Sequence, residues 1–231
     1  MPRGASTWVW SLDSSEDVAD RLASCLSSEE TARAASFANA RLRNRWVMAR
    51  AGMRSILGSR LGVPPETISF SLGTHGKPYL VNTDHPCFFN LSHSEGMAVL
   101  AVGEVPVGVD IEHIGPLHEG VAEAFFSADE SRALAAMPRE DRVHAFYRCW
   151  TAKEALLKAL GVGLSLSGKS FTVGFETHED LRLLYADWQD ADVSTWRLAG
   201  FEPVPGFTGA VAVQTSGLFR PLLHRWIFDP F

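Results

Sequence analysis

The sequence predicts an α+β fold made of two pseudosymmetric halves, each a long helix packed on a small, mainly antiparallel sheet, with a ligand site between them. Three observations predict it. The order long helix, glycine stop, strand and hairpin occurs twice along the chain. Apolar residues pass from helical spacing to strict alternation segment by segment. The composition, 46% hydrophobic and 21% charged over 231 residues, is that of a globular chain large enough to bury its own core without disulfides or a structural metal. The halves meet near Gly103, giving residues 1–103 and 104–231, and the boundary between such halves is where a ligand is expected.

Met1-Pro2-Arg3-Gly4 leads into a strand-like run at residues 7–12. Ser27 and Glu30 have capping-box spacing ahead of a polar helical stretch. A long helix over residues 39–61 carries the apolar stripe Leu42, Trp46, Ala49, Met53, Ile56 and Leu57, and Gly62 with Pro64-Pro65 stops it. Residues 68–72 alternate as a half-buried strand, and Gly73-Thr74-His75-Gly76-Lys77-Pro78 reads as a turn. Residues 87–91 and 97–102 read as a hairpin whose polar linker is Ser92-His93-Ser94-Glu95-Gly96. The second half opens with an apolar strand at residues 105–114, then a second capping box, Ser127-Ala128-Asp129-Glu130, and a second long helix over residues 139–160. Gly161-Val162-Gly163 stops that helix. Strands near residues 170–175, 196–201 and 208–215 follow, the last two joined by Pro203-Val204-Pro205-Gly206.

Several function classes drop out. A formal charge of −6 argues against nucleic-acid binding through bulk positive charge. No run approaches the roughly 18 uninterrupted apolar residues of a membrane span, and the first residues lack the apolar stretch of a signal peptide, so a cytoplasmic protein that uses no membrane is expected. Cys25, Cys87 and Cys149 have neither disulfide nor zinc-ligand spacing and are expected to be buried thiols. The Gly73 to Lys77 turn is not a P-loop, because Ser71 stands at the first glycine position and Pro78 where a hydroxyl is needed. Zinc-hydrolase, nucleophile-elbow and dinucleotide-glycine patterns do not occur.

Chemistry concentrates in two segments. In Val107-Gly108-Val109-Asp110-Ile111-Glu112, two acids two residues apart leave the same face of an otherwise apolar strand. In Trp150-Thr151-Ala152-Lys153-Glu154-Ala155-Leu156-Leu157-Lys158, Glu154 and Lys158 stack at i and i+4 on one helix face. Each segment alone fits a strand edge or a surface ion pair. Together they supply three carboxylates and an ammonium. Two carboxylates about 4 Å apart repel by roughly 4 kcal/mol at an effective dielectric near 20, so a cluster of three takes up a proton or a cation. An all-oxygen donor set suits Mg²⁺, which prefers to share its shell with substrate phosphates. Positive groups available to hold phosphates are Arg45, Arg50 and Arg54 on the first long helix, Lys77 in the turn and His93 in the hairpin.

These residues resemble a known family. Gly108-Val109-Asp110-Ile111-Glu112 followed by the Trp150 to Lys158 segment is similar to the paired motifs of Sfp-type 4′-phosphopantetheinyl transferases. Gly76-Lys77-Pro78, Phe89-Asn90-Leu91-Ser92-His93-Ser94, Phe125-Phe126-Ser127 and Gly161-Val162-Gly163-Leu164-Ser165-Leu166 agree in order, and the likeness spans residues 37–173. Thr151 stands where the family commonly has Ser or Cys. The resemblance implies two pseudosymmetric halves and transfer of the phosphopantetheine arm of coenzyme A to a serine of an acyl or peptidyl carrier protein, releasing adenosine 3′,5′-bisphosphate. It implies that Asp110, Glu112 and Glu154 bind Mg²⁺, with Mn²⁺ a possible substitute, and that Lys158 contacts the pyrophosphate. It further implies that Arg45, Arg50 and His93 hold nucleotide phosphates while Lys77, Pro78 and Ser92 line the nucleotide site. Glu154 is the candidate base, acting directly or through a metal-bound water.

Two rival readings use parts of the same set. A non-catalytic module that grips coenzyme A or a carrier protein would need the cations but not the acids. A metal-dependent nuclease would need the lysine of a Glu-x-Lys element, but Glu112 is followed by His113-Ile114, and the acidic chain disfavours it. Carrier proteins are commonly acidic, so docking is expected to use an apolar contact and a local basic patch. Two self-similar halves in one chain predict a monomer.

Overall fold

In the computed structural model, residues 5–117 and 120–228 are described; Met1-Pro2-Arg3-Gly4 lies outside them. The first half runs β1 (Ala5–Ser11), α1 (Glu16–Leu22), α2 (Ser28–Ala35), α3 (Ala40–Leu61), β2 (Phe70–Leu72), β3 (Pro78–Leu80), β4 (Phe88–Ser94) and β5 (Met97–Gly103). The second runs β6 (Val107–His113), α4 (Val121–Phe125), α5 (Ala128–Ala136), α6 (Arg139–Leu160), β7 (Phe171–Gly174), β8 (Arg182–Ala186), β9 (Trp196–Phe201), β10 (Phe207–Gln214) and β11 (Leu222–Arg225). One sheet has the order β11-β1-β5-β4, antiparallel except where β11 joins β1 in parallel, and the other has the order β6-β10-β9, antiparallel throughout. Strands β2-β3 and β7-β8 form separate two-stranded hairpins.

Local chemistry opens α3 and closes both long helices. Asn39 caps α3, and Gly62 and Gly161 close α3 and α6 in the left-handed region, with φ of 70° and 69°. Helix α3 buries Met48, Met53, Ile56 and Leu57 against Trp10, Leu100 and Val102. Helix α6 buries Ala152, Ala155 and Leu156 against Phe171, Ala210 and Ala212. A third apolar cluster joins the halves, with Val99 and Ala101 of β5 meeting Val109 and Ile111 of β6 and Val211 and Val213 of β10.

The halves repeat one polar device. Both predicted capping boxes form, Ser27 with Glu30 and Ser127 with Glu130. Each capping glutamate then pairs with a cation at the same position along its 22-residue long helix: Glu30 with Arg54, and Glu130 with Lys153. Two short helices are thereby locked onto two long ones through buried charge.

Several expectations need correction. Leu42, placed on the core stripe, is 53% exposed, because the buried stretch of α3 begins only at Val47 and Met48. The hairpin linker is only Glu95-Gly96; Ser92, His93 and Ser94 continue β4, with Glu95 at φ 47° making the reversal. Cys149 is buried, whereas Cys25 and Cys87 are partly exposed. Helices α1 and α4 and strands β3, β8 and β11 are additional elements, each too short or too irregular in its apolar pattern to announce itself.

Gly108 sets the distance between β6 and α6. A Cβ there would lie 2.1 Å from the Ala155 carbonyl oxygen and 2.3 Å from the Ala159 nitrogen, both backbone atoms that cannot move aside without shifting the helix. Gly108→Ala is therefore expected to destabilise the protein by about 3 kcal/mol or more, read as a fall in the urea midpoint. A midpoint equal to that of the parent would show that α6 is free to retreat from β6.

Candidate active site

The alternation of β6 decides which of its residues meet α6. Val107, Val109 and Ile111 enter the core between the halves, so Gly108, Asp110 and Glu112 take the opposite face, where Gly108 touches α6. Asp110 is 2% exposed. Its Oδ1 accepts from the Lys158 ammonium at 2.5 Å and from the Ser92 hydroxyl at 2.8 Å, and Lys158 also donates to Ser92 Oγ at 3.0 Å. Asp110 Oδ2 is buried with no donor. The i,i+4 partner of Lys158, Glu154, is half-buried on the same helix.

Strand β4 runs beside β6 from the other half, and its polar side chains do the work a backbone ladder would otherwise do. Asn90 Oδ1 accepts from the Val109 amide at 2.9 Å, Ser92 donates to Asp110, and Ser94 Oγ donates to Glu112 Oε2 at 2.7 Å while accepting from the His113 amide at 3.1 Å. Asn90 and Ser94 carry no role in the sequence reading. Their signal is the polar i, i+2, i+4 spacing of Asn90, Ser92 and Ser94, which has meaning only once residues 92–94 are a strand.

The three acids feel one another. Burial pushes the Asp110 carboxyl up, against the Lys158 charge and the hydrogen bonds that favour ionisation. Burial likewise raises Glu112, opposed by the Ser94 hydrogen bond and reinforced by the Asp110 charge. Glu154 is raised by burial first and then by Asp110, with Lys158 opposing and Glu112 adding to the rise. Among the described residues, no three acidic, His or Cys side chains converge on a ready-made cation shell, and it is the Lys158 ammonium that neutralises Asp110. The donor set nonetheless fits a divalent cation. Asp110 Oδ2 is a buried, acceptor-only oxygen that no protein donor satisfies, and its neighbours are two further carboxylates.

A cleft of about 280 Å³ opens between the halves, lined by Gly76, Lys77 and Pro78 from the turn, Asn90 from β4, and Glu154 and Lys158 from α6. The Lys77 ammonium crosses the boundary to donate to the carbonyls of Val107 at 3.0 Å and Ala159 at 3.1 Å, and burial pushes its pKa down to about 8. A larger cleft of about 830 Å³, bordered by Arg60, His85 and Glu104, holds none of the predicted site residues.

The other predicted cations divide. Arg45 is gripped by Asp13 through Nε at 2.8 Å and Nη2 at 3.0 Å, over the β4–β5 turn, with Glu95 at 3.6 Å. His93 lies on the face of β4 opposite Ser92, where crowding by the protein and then the Lys158 charge lower its pKa. Arg50 is bound to Glu30 and lies over the Phe70 ring, within the cluster that also holds Arg54.

Comparison with known proteins places the chain in a family. A family model described as 4′-phosphopantetheinyl transferase, N-terminal, matches residues 10–105, and one described as the 4′-phosphopantetheinyl transferase superfamily matches residues 106–212. The chain is 34% identical over 218 residues to the 4′-phosphopantetheinyl transferase HetI of Nostoc sp., an alignment covering 91% of this chain and 87% of that protein. It is 33% identical over 204 residues to a 4′-phosphopantetheinyl transferase of Bacillus subtilis, covering 85% and 90% respectively. It is 30% identical over 166 residues to the 4′-phosphopantetheinyl transferase Sfp of Bacillus subtilis strain 168, covering 72% and 73%. With both halves matched in order and the relatives aligned across most of their length, the chain belongs to the Sfp-type 4′-phosphopantetheinyl transferases.

Proposed function

We propose that this enzyme moves the 4′-phosphopantetheine arm of coenzyme A onto a serine of an acyl or peptidyl carrier protein, converting apo to holo carrier and releasing adenosine 3′,5′-bisphosphate. The observation that carries this reading is the buried Asp110 carboxylate, with one oxygen on Lys158 and the other without a donor, beside the cleft that Glu154 and Lys158 line.

Asp110, Glu112 and Glu154 would hold Mg²⁺, or Mn²⁺ in its place, and a cation bound there polarises a phosphoryl oxygen and offsets pyrophosphate charge. Lys158 reaches the cleft from α6, and its ammonium neutralises the bridging oxygen as that oxygen leaves. Glu154, which lines the cleft one helical turn from Lys158, is assigned the proton of the carrier serine. The bond from serine oxygen to the β-phosphorus forms as the bond from that phosphorus to the bridging oxygen breaks, in line. Arg45, His93, Lys77, Pro78 and Ser92 are assigned to the nucleotide and its phosphates. Arg50 serves Glu30, and a place at the nucleotide would require it to leave that pair. Among the described residues no helix is long and apolar enough to cross a membrane, and we read the enzyme as a cytoplasmic monomer that needs neither membrane nor nucleic acid.

The test is intact-protein mass spectrometry of apo carrier proteins incubated with the enzyme, coenzyme A and Mg²⁺, with and without chelator. The expected result is a gain of one phosphopantetheine that the chelator abolishes. Coenzyme A binding with no mass gain on any acyl or peptidyl carrier would favour the non-catalytic module instead.

A further inference from the structure

We infer that Ser94 is a positioning residue for Glu112, and that it tunes the affinity of the acid cluster for its divalent cation from the opposite half of the molecule. The inference rests on the proposed function, since it assigns Glu112 to the cation.

The Ser94 hydroxyl has one proton to donate and two lone pairs that accept. Ser94 Oγ accepts from the His113 amide at 3.1 Å, and a backbone N–H can only donate, so this contact consumes a lone pair of the hydroxyl. The single hydroxyl proton is thereby left for Glu112 Oε2, 2.7 Å away. A donor aimed at the carboxylate favours its ionised form and fixes one of its two oxygens. Glu112 has need of this. It sits next to the last residue of β6, it is only half-buried, and its side chain has three rotatable bonds, which the Ser94 hydroxyl restrains from β4 and the Trp150 side chain from α6. The same grip recurs two residues earlier, where Ser92 donates to Asp110. Each acid of β6 is thus held by a serine of β4, in matching two-residue steps across the boundary between the halves. Asn90 sets the register by accepting from the Val109 amide. Hydrogen-bond partners of metal-binding carboxylates typically contribute about 10- to 100-fold to metal affinity, because they orient the ligand before the ion arrives.

The experiment measures Mn²⁺ binding directly, by the electron paramagnetic resonance signal of free Mn²⁺, on enzyme saturated with coenzyme A. Ser94→Ala is expected to weaken Mn²⁺ binding by about 10- to 100-fold, and Ser94→Thr, which keeps the hydroxyl, to stay within about threefold of the parent. In a Glu112→Gln background, Ser94→Ala is expected to add less than about threefold, since the interaction it removes is already gone. If the alanine chain does not fold, Ser94→Cys, close in size but a weak donor, carries the same expectation. Parental Mn²⁺ affinity in Ser94→Ala, a threonine variant as impaired as the alanine one, or a full further loss in the Glu112→Gln background would each overturn the inference. If Glu112→Gln leaves Mn²⁺ binding unchanged, the assignment of Glu112 to the cation falls, and the inference with it. If Glu112→Gln weakens binding and Ser94→Ala does not, the proposed function stands and only the role of Ser94 is lost.

Discussion

Asp110→Ala is expected to reduce turnover about a thousand-fold, close to 4 kcal/mol of transition-state stabilisation, while the protein stays folded. The size of the loss follows from what the carboxylate does: its two oxygens are the least solvated acidic atoms of the cluster, one already committed to Lys158 and one without any partner. The survival of the fold follows from what is left behind. The side chain of Lys158 is 30% exposed, so its ammonium can turn to water once Asp110 is gone, and no buried charge is stranded. Asp110→Asn, equal in shape but neutral, should lose nearly as much, and Glu154→Ala should match it. The check is the rate of holo-carrier formation at saturating Mg²⁺ beside a thermal melt of each variant. Parental turnover in either alanine variant would remove the assignment of these acids to the metal.

Lys153→Met should instead leave chemistry aside and unfold the second half, at a cost of about 3–5 kcal/mol. Lys153 is fully buried, and its ammonium donates to both oxygens of Glu130, at 2.8 and 2.7 Å, and to the Phe171 carbonyl at 2.8 Å, with the Phe171 ring 4.0 Å below. Glu130 also receives the amides of Ser127 at 2.8 Å and Val173 at 2.7 Å. Methionine fills the space but supplies no charge, so a carboxylate at 1% exposure is left without a cation in a site that water cannot reach. Removing both partners, as Lys153→Met with Glu130→Gln, should recover a large part of the loss, because desolvating one unpaired charge costs more than losing the pair. Urea unfolding of the two single variants and the double variant measures this. A Lys153→Met protein within about 1 kcal/mol of the parent would show that Glu130 does not depend on Lys153 for its place in the core.

The pair also explains a sequence pattern that a search for chemistry passes over. Lys153 lies beside Glu154 in the Trp150 to Lys158 segment, yet it points into the core on Glu130 while Glu154 and Lys158 line the cleft. One helix face anchors α6 to α5 and β7; the next presents the site.

The features legible in the amino-acid sequence alone are those whose causes lie within a few residues. Capping boxes at Ser27 and Ser127, the left-handed stops at Gly62 and Gly161, the i,i+4 stacking of Glu154 on Lys158 and the shared face of Asp110 and Glu112 all follow from short-range sterics and hydrogen bonding, so each could be read in order along the chain. Tertiary structure decided which groups meet across long separations. Ser92 and Lys158, 66 residues apart, converge on one oxygen of Asp110, and Arg50 is drawn to Glu30. Residues 92–94 become a strand because β4 extends to a two-residue reversal, and that extension is what turns two serines toward two acids. The C-terminal strand β11 returns to pair with β1, a partnership no local pattern specifies. Local propensity sets where an element starts, stops and which side is apolar; the destination of a buried charge depends on which desolvated partner the folded chain brings within reach, and that is a property of the whole packing.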